Sequence, residues 1–340
     1  MAALNNQWPT LLDWARRTDP DGKIAKIAEI LNKYNEILDD MYYVEGNLPT
    51  GHKTTVRGSI PAGTWRLLNQ GIVPVKSTSN QITETCGMLE NYSEVDKDLA
   101  LLNGNTSDWR MSEDMAVIEG LNQSLATAIF YGDTSINPER FVGLAPRYYA
   151  LSNATTSTNL IDGKGTGSVN TSVWLIGWSD QTVHGIFPKG SKAGLSVQDL
   201  GEQTLLDGGT PQGRYQGYRS HYQMKAGLCV RDWRFVVRIC NIDITQLETS
   251  GDTSDTSSNL IKYMSQALDK FPPTGNVRPV FYMNQRVRAM LRVKLLNAKN
   301  AFISLEEFQG PNGIKRPGMS FMGTPCRRAD AITNTEAYIN

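Results

Sequence analysis

Three histidines, four cysteines and one glycine-rich run are the places where this sequence could do chemistry. His52, His184 and His221 lie far apart, with no HxxxH step to set two imidazoles on one helix face for a metal ion. Cys86, Cys229, Cys240 and Cys326 include no CxxC pair, so neither a zinc knuckle nor a redox dithiol is spelled out. Their low density argues against a disulfide framework and for a reducing compartment. The histidines are therefore expected to be structural, with no metal and no cofactor. Gly163-Lys164-Gly165-Thr166-Gly167-Ser168 has the glycine content of a phosphate cradle. It lacks the P-loop spacing, follows a polar stretch where a strand is needed, and precedes β-type residues where a helix is needed. No GxSxG elbow occurs. Glu306-Glu307 and Asp96-x-Asp98 could supply paired carboxylates to a hydrolase, but such pairs are also common on solvated faces. Arg288, Arg292 and Lys299 share one face of a helix expected over 285–298 and could meet phosphates. No aromatic residues interleave them, which favours a solvated or salt-bridged face.

The potential chemistry does not converge, and the bulk numbers do not redirect it. Lys+Arg and Asp+Glu both total 34 in 340 residues, so the net charge is zero. Nothing marks a strongly basic nucleic-acid binder. No apolar run reaches the roughly 18 residues needed to span a bilayer. Residues 1–14 have neither a basic start nor an apolar core, so no secretory leader is expected.

The elements that would position any site are legible in part. The longest is a helix expected over 112–131, with Ser112 as its cap and Glu113 and Asp114 in its first turn. Met115, Ile118, Leu121, Leu125 and Ile129 recur at steps of three and four, and Gly132 suits a left-handed terminus. Such a strut is about 30 Å long. Residues 1–22 read as an arm whose Trp8 and Trp14 need a surface, on the same subunit or a neighbour. Residues 23–38 carry one apolar stripe and read as a helix. Residues 46–95 read as a long extended hairpin, with β-type pieces at 54–57, 71–75 and 81–85. A hairpin of that length is marginal alone in water. It must lie on something else, and a partner subunit is the natural candidate. Lys53, Arg57, Arg66 and Lys76 on it, with Glu84 and Glu94, are the candidate intersubunit contacts, together with Trp8 and Trp14. Residues 150–172 read as a flexible polar surface segment, 173–178 and 183–187 as strands paired about a Ser-Asp turn, and 190–213 as loop. Residues 227–242 read as two strands, the second with one apolar and one mixed face. An amphipathic helix is expected over 260–271, a buried strand over 279–283, and an Asn284 cap on the helix over 285–298. The tail reads as turn-rich, with short strands near 319–321 and 331–333. Several surface-seeking elements without a convergent polar site suggest assembly over catalysis.

The run Leu48-Pro49-Thr50-Gly51-His52-Lys53-Thr54-Thr55-Val56-Arg57, followed by Trp65-Arg66-Leu67-Leu68-Asn69-Gln70-Gly71, resembles the extended loop of a group of short-tailed phage major capsid proteins. Tyr92-Ser93-Glu94-Val95-Asp96-Lys97-Asp98-Leu99-Ala100, the run over 130–144, Gly213-Arg214-Tyr215-Gln216-Gly217-Tyr218, and Arg238-Ile239-Cys240-Asn241-Ile242 fit the same group. So does Gly318-Met319-Ser320-Phe321-Met322-Gly323-Thr324-Pro325-Cys326-Arg327. The likeness covers most of the chain and is strongest toward the capsid type of the Bordetella short-tailed phage. It implies an α+β, Hong Kong 97-like (Johnson) fold. Residues 1–45 would be an N-terminal arm and helix, 46–95 the extended β loop, and 96–150 the spine helix and the start of a peripheral domain. Residues 151–245 would be β-rich peripheral and axial segments, and 246–340 axial-domain helices with C-terminal strands. In that fold a strand pair comparable to 173–187 comes near the C-terminus, so a permuted connection is expected. The implied function is a non-enzymatic shell subunit that forms hexamers and pentamers of an icosahedral head around packaged double-stranded DNA. The implied partners are further copies of itself, a portal, a separate scaffolding protein, a decoration protein, and DNA held by weak non-specific contact, with no membrane. The expected location is the virion, after assembly in the host cytoplasm. The alternatives are a tail or baseplate component and, more remotely, a hydrolase built on Glu306 or Asp96.

Overall fold

Residues 35–104, 106–152, 154–167, 169–207, 213–249, 259–273, 276–296, 303–309 and 315–340, with 9 and 33, are described by a computed structural model. The helix expected over 23–38 lies almost wholly outside the described residues, as do Trp8 and Trp14. In chain order the elements are α1 (Ile37–Asp40), β1 (Tyr43–Glu45), β2 (Gly51–Ser59), β3 (Thr78–Thr85), β4 (Gly87–Asp96), α2 (Lys97–Leu101), α3 (Thr106–Tyr131), β5 (Leu160–Asp162), β6 (Asn170–Trp178) and β7 (Val183–Phe187). They continue with β8 (Leu195–Leu206), β9 (Arg214–Val230), β10 (Val236–Asp243), α4 (Ile244–Thr249), α5 (Leu260–Lys270), β11 (Arg278–Met283), α6 (Gln285–Leu296), β12 (Ile303–Gln309), β13 (Lys315–Phe321) and β14 (Thr324–Arg328).

The main sheet runs β12-β13-β14-β11-β6-β7-β9-β4, with β10 and β5 branching from β6, β1 from β7 and β8 from β9. Its centre is covered on both faces. Trp174, Ile176, Trp178, Val236, Val280 and Tyr282 face one core with Leu125, Ile129 and Phe130 of α3. The alternate residues Val173, Leu175, Val237, Ile239 and Phe281 face a second core with Tyr263, Met264 and Ala267 of α5 and Val287 and Leu291 of α6. Strands sandwiched this way read as continuous apolar runs instead of alternating ones. The expectation of a mixed outer face on β10 therefore fails. Arg238 lies buried, its guanidinium 2.9 Å from Glu336 and donating to Ser172 Oγ and the Tyr148 carbonyl.

The long helix exceeds its expected span. α3 has 26 residues and begins at Thr106, so Ser112 is interior and caps nothing. Trp109 drives the extension, buried against Val95, Leu99 and Ala100. Only the second half of the expected stripe is buried, through Leu121, Leu125 and Ile129, while Met115 is exposed. Gly132 keeps an ordinary backbone conformation. Its requirement is close approach: Gly143 N donates to Gly132 O at 2.8 Å and Leu144 N to Ile129 O at 2.9 Å. A Cβ on Gly143 would stand 2.6 Å from Ala128 O, so the returning chain fits against the helix end only without one.

Three further expectations are corrected. Residues 150–172 are no loose surface segment, since Asn159 to Ile161 and Asn170 to Ser172 are buried and β5 pairs with β10. The strands β6 and β7 are not a hairpin. They meet in parallel at Trp178 and Val183 alone, and β7 pairs mainly with β9. The premise of a permuted connection disappears with that hairpin. The stretch 190–213 contains the twelve-residue β8, antiparallel to β9. Its residues are mostly solvent-facing, so no apolar alternation betrays it. The helix expected over 260–271, the strand over 279–283 and the Asn284 cap are present, with Asn284 Oδ1 accepting from Arg286 N at 3.0 Å.

Candidate functional site

Among the described residues β2 and β3 form a two-stranded sheet of their own, from Gly51 with Thr85 to Ser59 with Thr78, with Gly51 also bridged to Leu48. Between them, 60–77 carry no strand, so the β-type piece at 71–75 does not form one. Every residue from 57 to 83 is exposed. Ile60, Trp65, Leu67, Leu68, Val73 and Val75 are among them, and Trp65 touches nothing that shields it, at 101% relative exposure. A contiguous stretch of large apolar side chains facing water marks an interaction surface. Lys53, Arg57, Arg66 and Lys76 are exposed around it, and Arg66 donates to the Gln70 carbonyl at 3.2 Å.

The two acidic candidates are not exposed like the basic ones: Glu84 is buried at the root of the hairpin and Glu94 lies in the main sheet. Glu84, 5% exposed, accepts a fork from Arg147, with Nη1 to Oε1 and Nη2 to Oε2 both at 2.6 Å. Arg147 also donates to the Gly143 and Val142 carbonyls at 3.1 Å. This bidentate geometry is the strong form of a charge-assisted bond, and it ties β3 to the chain that returns from α3. Glu94 lies on β4, which pairs along its whole length with β9 and so belongs to the main sheet. Its carboxylate is 3.0 Å from Arg219 Nε. Asn47 clamps the other arm, accepting from Lys53 N and donating to Lys53 O at 2.7 Å each. The hairpin is thus held at its root and uncovered toward its tip.

The places where catalysis was conceivable resolve structurally. In the glycine run, Gly163 N donates to Cys240 O and Gly165 N to Asn241 O at 2.8 Å each, so these amides are committed to β10 and cannot cradle a phosphate. Asp96 Oδ1 accepts from Asp98 N at 2.8 Å as a helix cap. Glu306 and Glu307 are on β12 opposite Gly318 and Pro317. His221 stacks on Tyr92 and lies 3.2 Å from Glu90. Burial pushes the Cys86 thiol up to about 11 and those of Cys229, Cys240 and Cys326 up to about 12, which makes them poor nucleophiles. His52 and His184, far apart in the sequence, lie together beside Cys229. Strand pairing brings them together, and no linear spacing could have shown it.

Comparison with known proteins gives a consistent result. A family model described as major capsid protein GP7 matches residues 19–340. A solved structure of bacteriophage Epsilon15 is 36% identical, with 100% of this chain and 99% of that chain covered and a TM-score of 0.77. The bacteriophage JBD30 capsid aligns over 90% of this chain and 95% of that chain at 8% identity with a TM-score of 0.49, too distant to carry an argument. No curated protein matches. The resemblance to phage major capsid proteins read from the sequence is borne out.

Proposed function

Because the chain belongs to the major capsid protein GP7 family, we propose that it closes its shell by laying the β2–β3 hairpin across neighbouring copies of itself. It is a structural subunit of the icosahedral head of a phage virion, with the Hong Kong 97-like α+β fold, and not an enzyme. That assignment displaces the tail, baseplate and hydrolase alternatives. The observation that supports the clasp is the uncovered apolar stretch from Ile60 to Val75 on a hairpin anchored only at its root. Burying a side chain such as Leu68 contributes about 1.5–3 kcal/mol, and a tryptophan such as Trp65 somewhat more. Lys53, Arg57, Arg66 and Lys76 surround the patch and would set register on an acidic neighbour.

In the same reading residues 1–45 act as an arm, carrying Trp8 and Trp14 to a neighbour, and 46–95 as the extended loop. Residues 96–150 open the peripheral domain, 151–245 supply peripheral and axial segments, and 246–340 supply the axial helices and last strands. Copies associate as hexamers and pentamers in the host cytoplasm. A portal, a separate scaffolding protein and a decoration protein are the partners expected of such a shell. Zero net charge suits a container that holds DNA by weak non-specific contact. Among the described residues, no helix is long and apolar enough to cross a membrane.

The test is Trp65→Ser combined with Leu68→Ser. Both side chains are exposed, so the subunit should keep the wild-type circular dichroism spectrum and melting curve. Negative-stain microscopy should show closed shells only at much higher concentration, or none. Normal shells at wild-type concentration would reject the clasp.

A further inference from the structure

His52 on β2, His184 on β7 and Cys229 on β9 meet beneath the root of the hairpin, each offering a ligand atom within 4.8 Å of the others. His184 and Cys229 are register partners across the antiparallel β7–β9 pair, a position that holds Cβ atoms about 5 Å apart. His52 reaches them from the separate two-stranded sheet, its ring edge-on to His184 at 5.9 Å between centroids. His184 is only 1% exposed, and the Ser179 backbone acts on its ring without a hydrogen bond of full geometry, so at least one nitrogen is unmatched. A buried imidazole with so little pairing is rare, and a ligand bound between these side chains would satisfy the free nitrogen.

We infer that His52, His184 and Cys229 form a binding site for a borderline-soft divalent transition ion, zinc first, with a fourth position open to water. Two imidazoles and a thiolate are a ligand set that zinc accepts, whereas calcium and magnesium want oxygen. Tetrahedral zinc would place its nitrogen and sulfur ligands about 3.5 Å apart. The groups must therefore draw together by about 1 Å from the widest separation, within reach of rotamer adjustment at the half-buried His52. On binding, the Cys229 thiol releases its proton to solvent. The sulfur and two imidazole lone pairs then become bonds to the ion, with no change of oxidation state. His52 Nδ1 gives up a long 3.3 Å bond from Asn47 N, an exposed donor that water can take over. Arg231 opposes a cation at this place, as does Arg147 beside Cys229; the Glu84 carboxylate, which is forked to Arg147 and acts on Cys229, and Asp180, which acts on His184, favour one. A bound ion would tie the hairpin to the main sheet at a second point beside the Glu84–Arg147 fork. This inference stands apart from the clasp, since the cluster is internal to one subunit.

Cobalt(II) is the direct probe. Full-length protein stripped with chelator and titrated with Co2+ should develop a thiolate-to-cobalt charge-transfer band that saturates at one ion per chain and is displaced by Zn2+. Cys229→Ser should abolish the band. His52→Ala should weaken binding about tenfold or more, and His221→Ala should leave it unchanged. Because Cys229 is buried, the His52→Ala arm decides where the serine variant does not fold. A wild-type protein with no thiolate band, a band that survives Cys229→Ser, or wild-type affinity in His52→Ala would each overturn the assignment.

Discussion

Replacing Glu84 with Gln keeps the shape of the side chain and removes the charge that receives the Arg147 fork. Both bonds of that fork are 2.6 Å, and Glu84 is nearly inaccessible. Stripping one partner from a fully dry ion pair costs about 3–5 kcal/mol, because the remaining charge is left uncompensated. Arg147 keeps the carbonyls of Gly143 and Val142, and 19% of its side chain is reachable by water. These moderate the loss to about 2–3 kcal/mol. Adding Arg147→Met removes the stranded charge, so the double variant should recover part of the loss, with a coupling of about 1–2 kcal/mol. Urea unfolding of unassembled full-length subunits measures the totals. Hydrogen exchange locates them: amides of 51–56 and 81–86 should exchange faster in Glu84→Gln, while those of β6 and β10 should not. A Glu84→Gln protein within about 0.5 kcal/mol of wild type, with unchanged exchange at the root, would refute the view that this fork anchors the hairpin.

Three other outcomes follow from buried or paired groups. Arg238→Met leaves Glu336 buried with only the Tyr131 and Ser172 hydroxyls donating to its carboxylate among the described residues, and should cost about 3 kcal/mol in calorimetry, part of which Glu336→Gln in the same chain restores. Asp199, paired with Arg110 at 2.6 Å and accepting from Gly201 N, is held below the usual carboxylate range, first by the Arg110 bond. Its contribution, about 0.5 kcal/mol at so exposed a pair, is present above the unfolded carboxylate pKa and lost as pH falls through the lower folded value; wild type and Asp199→Asn should differ at pH 6 and converge toward about pH 2 in urea midpoints. No cysteine of the four should react quickly with Ellman's reagent at pH 8 in the native protein, and all should react after denaturation; one fast native thiol would contradict the burial argument.

What could be read from the residues divides along physical lines. α5 was legible because Leu260, Tyr263, Met264 and Ala267 meet a single core from one face, which imposes a helical period. β8 was not, because its side chains are mostly solvated and its partner, not its pattern, makes it a strand. The start of α3 was hidden for a related reason: Thr106, Ser107 and Asp108 look like loop, and the burial of Trp109 by residues earlier in the chain decides otherwise. β10 misled in the opposite direction, since Arg238 signals a wet face unless Glu336, nearly a hundred residues on, is known to meet it in the folded chain. Among the site residues, the basic set was read as intersubunit contacts, and in the single chain those side chains are exposed. Glu84 was read from its neighbours on the hairpin, and Arg147 lies too far along the chain to have announced itself.

The hairpin therefore unites two requirements that pull against each other. An assembly element must offer apolar area to a neighbour, yet an isolated two-stranded ribbon is barely stable in water. The chain separates these tasks along its length. Stability is concentrated at the root, where Gly51 allows the two backbones to close together, Asn47 brackets Lys53, and Glu84 is forked to Arg147. Affinity is concentrated beyond residue 57, where Ile60, Trp65, Leu67 and Leu68 stay in water. Arms already paired lose less conformational entropy on docking than a free strand would. Damage at the two ends should consequently separate: a weakened fork lowers the stability of the lone subunit, while a polar tip leaves that subunit intact and shows itself only when copies meet.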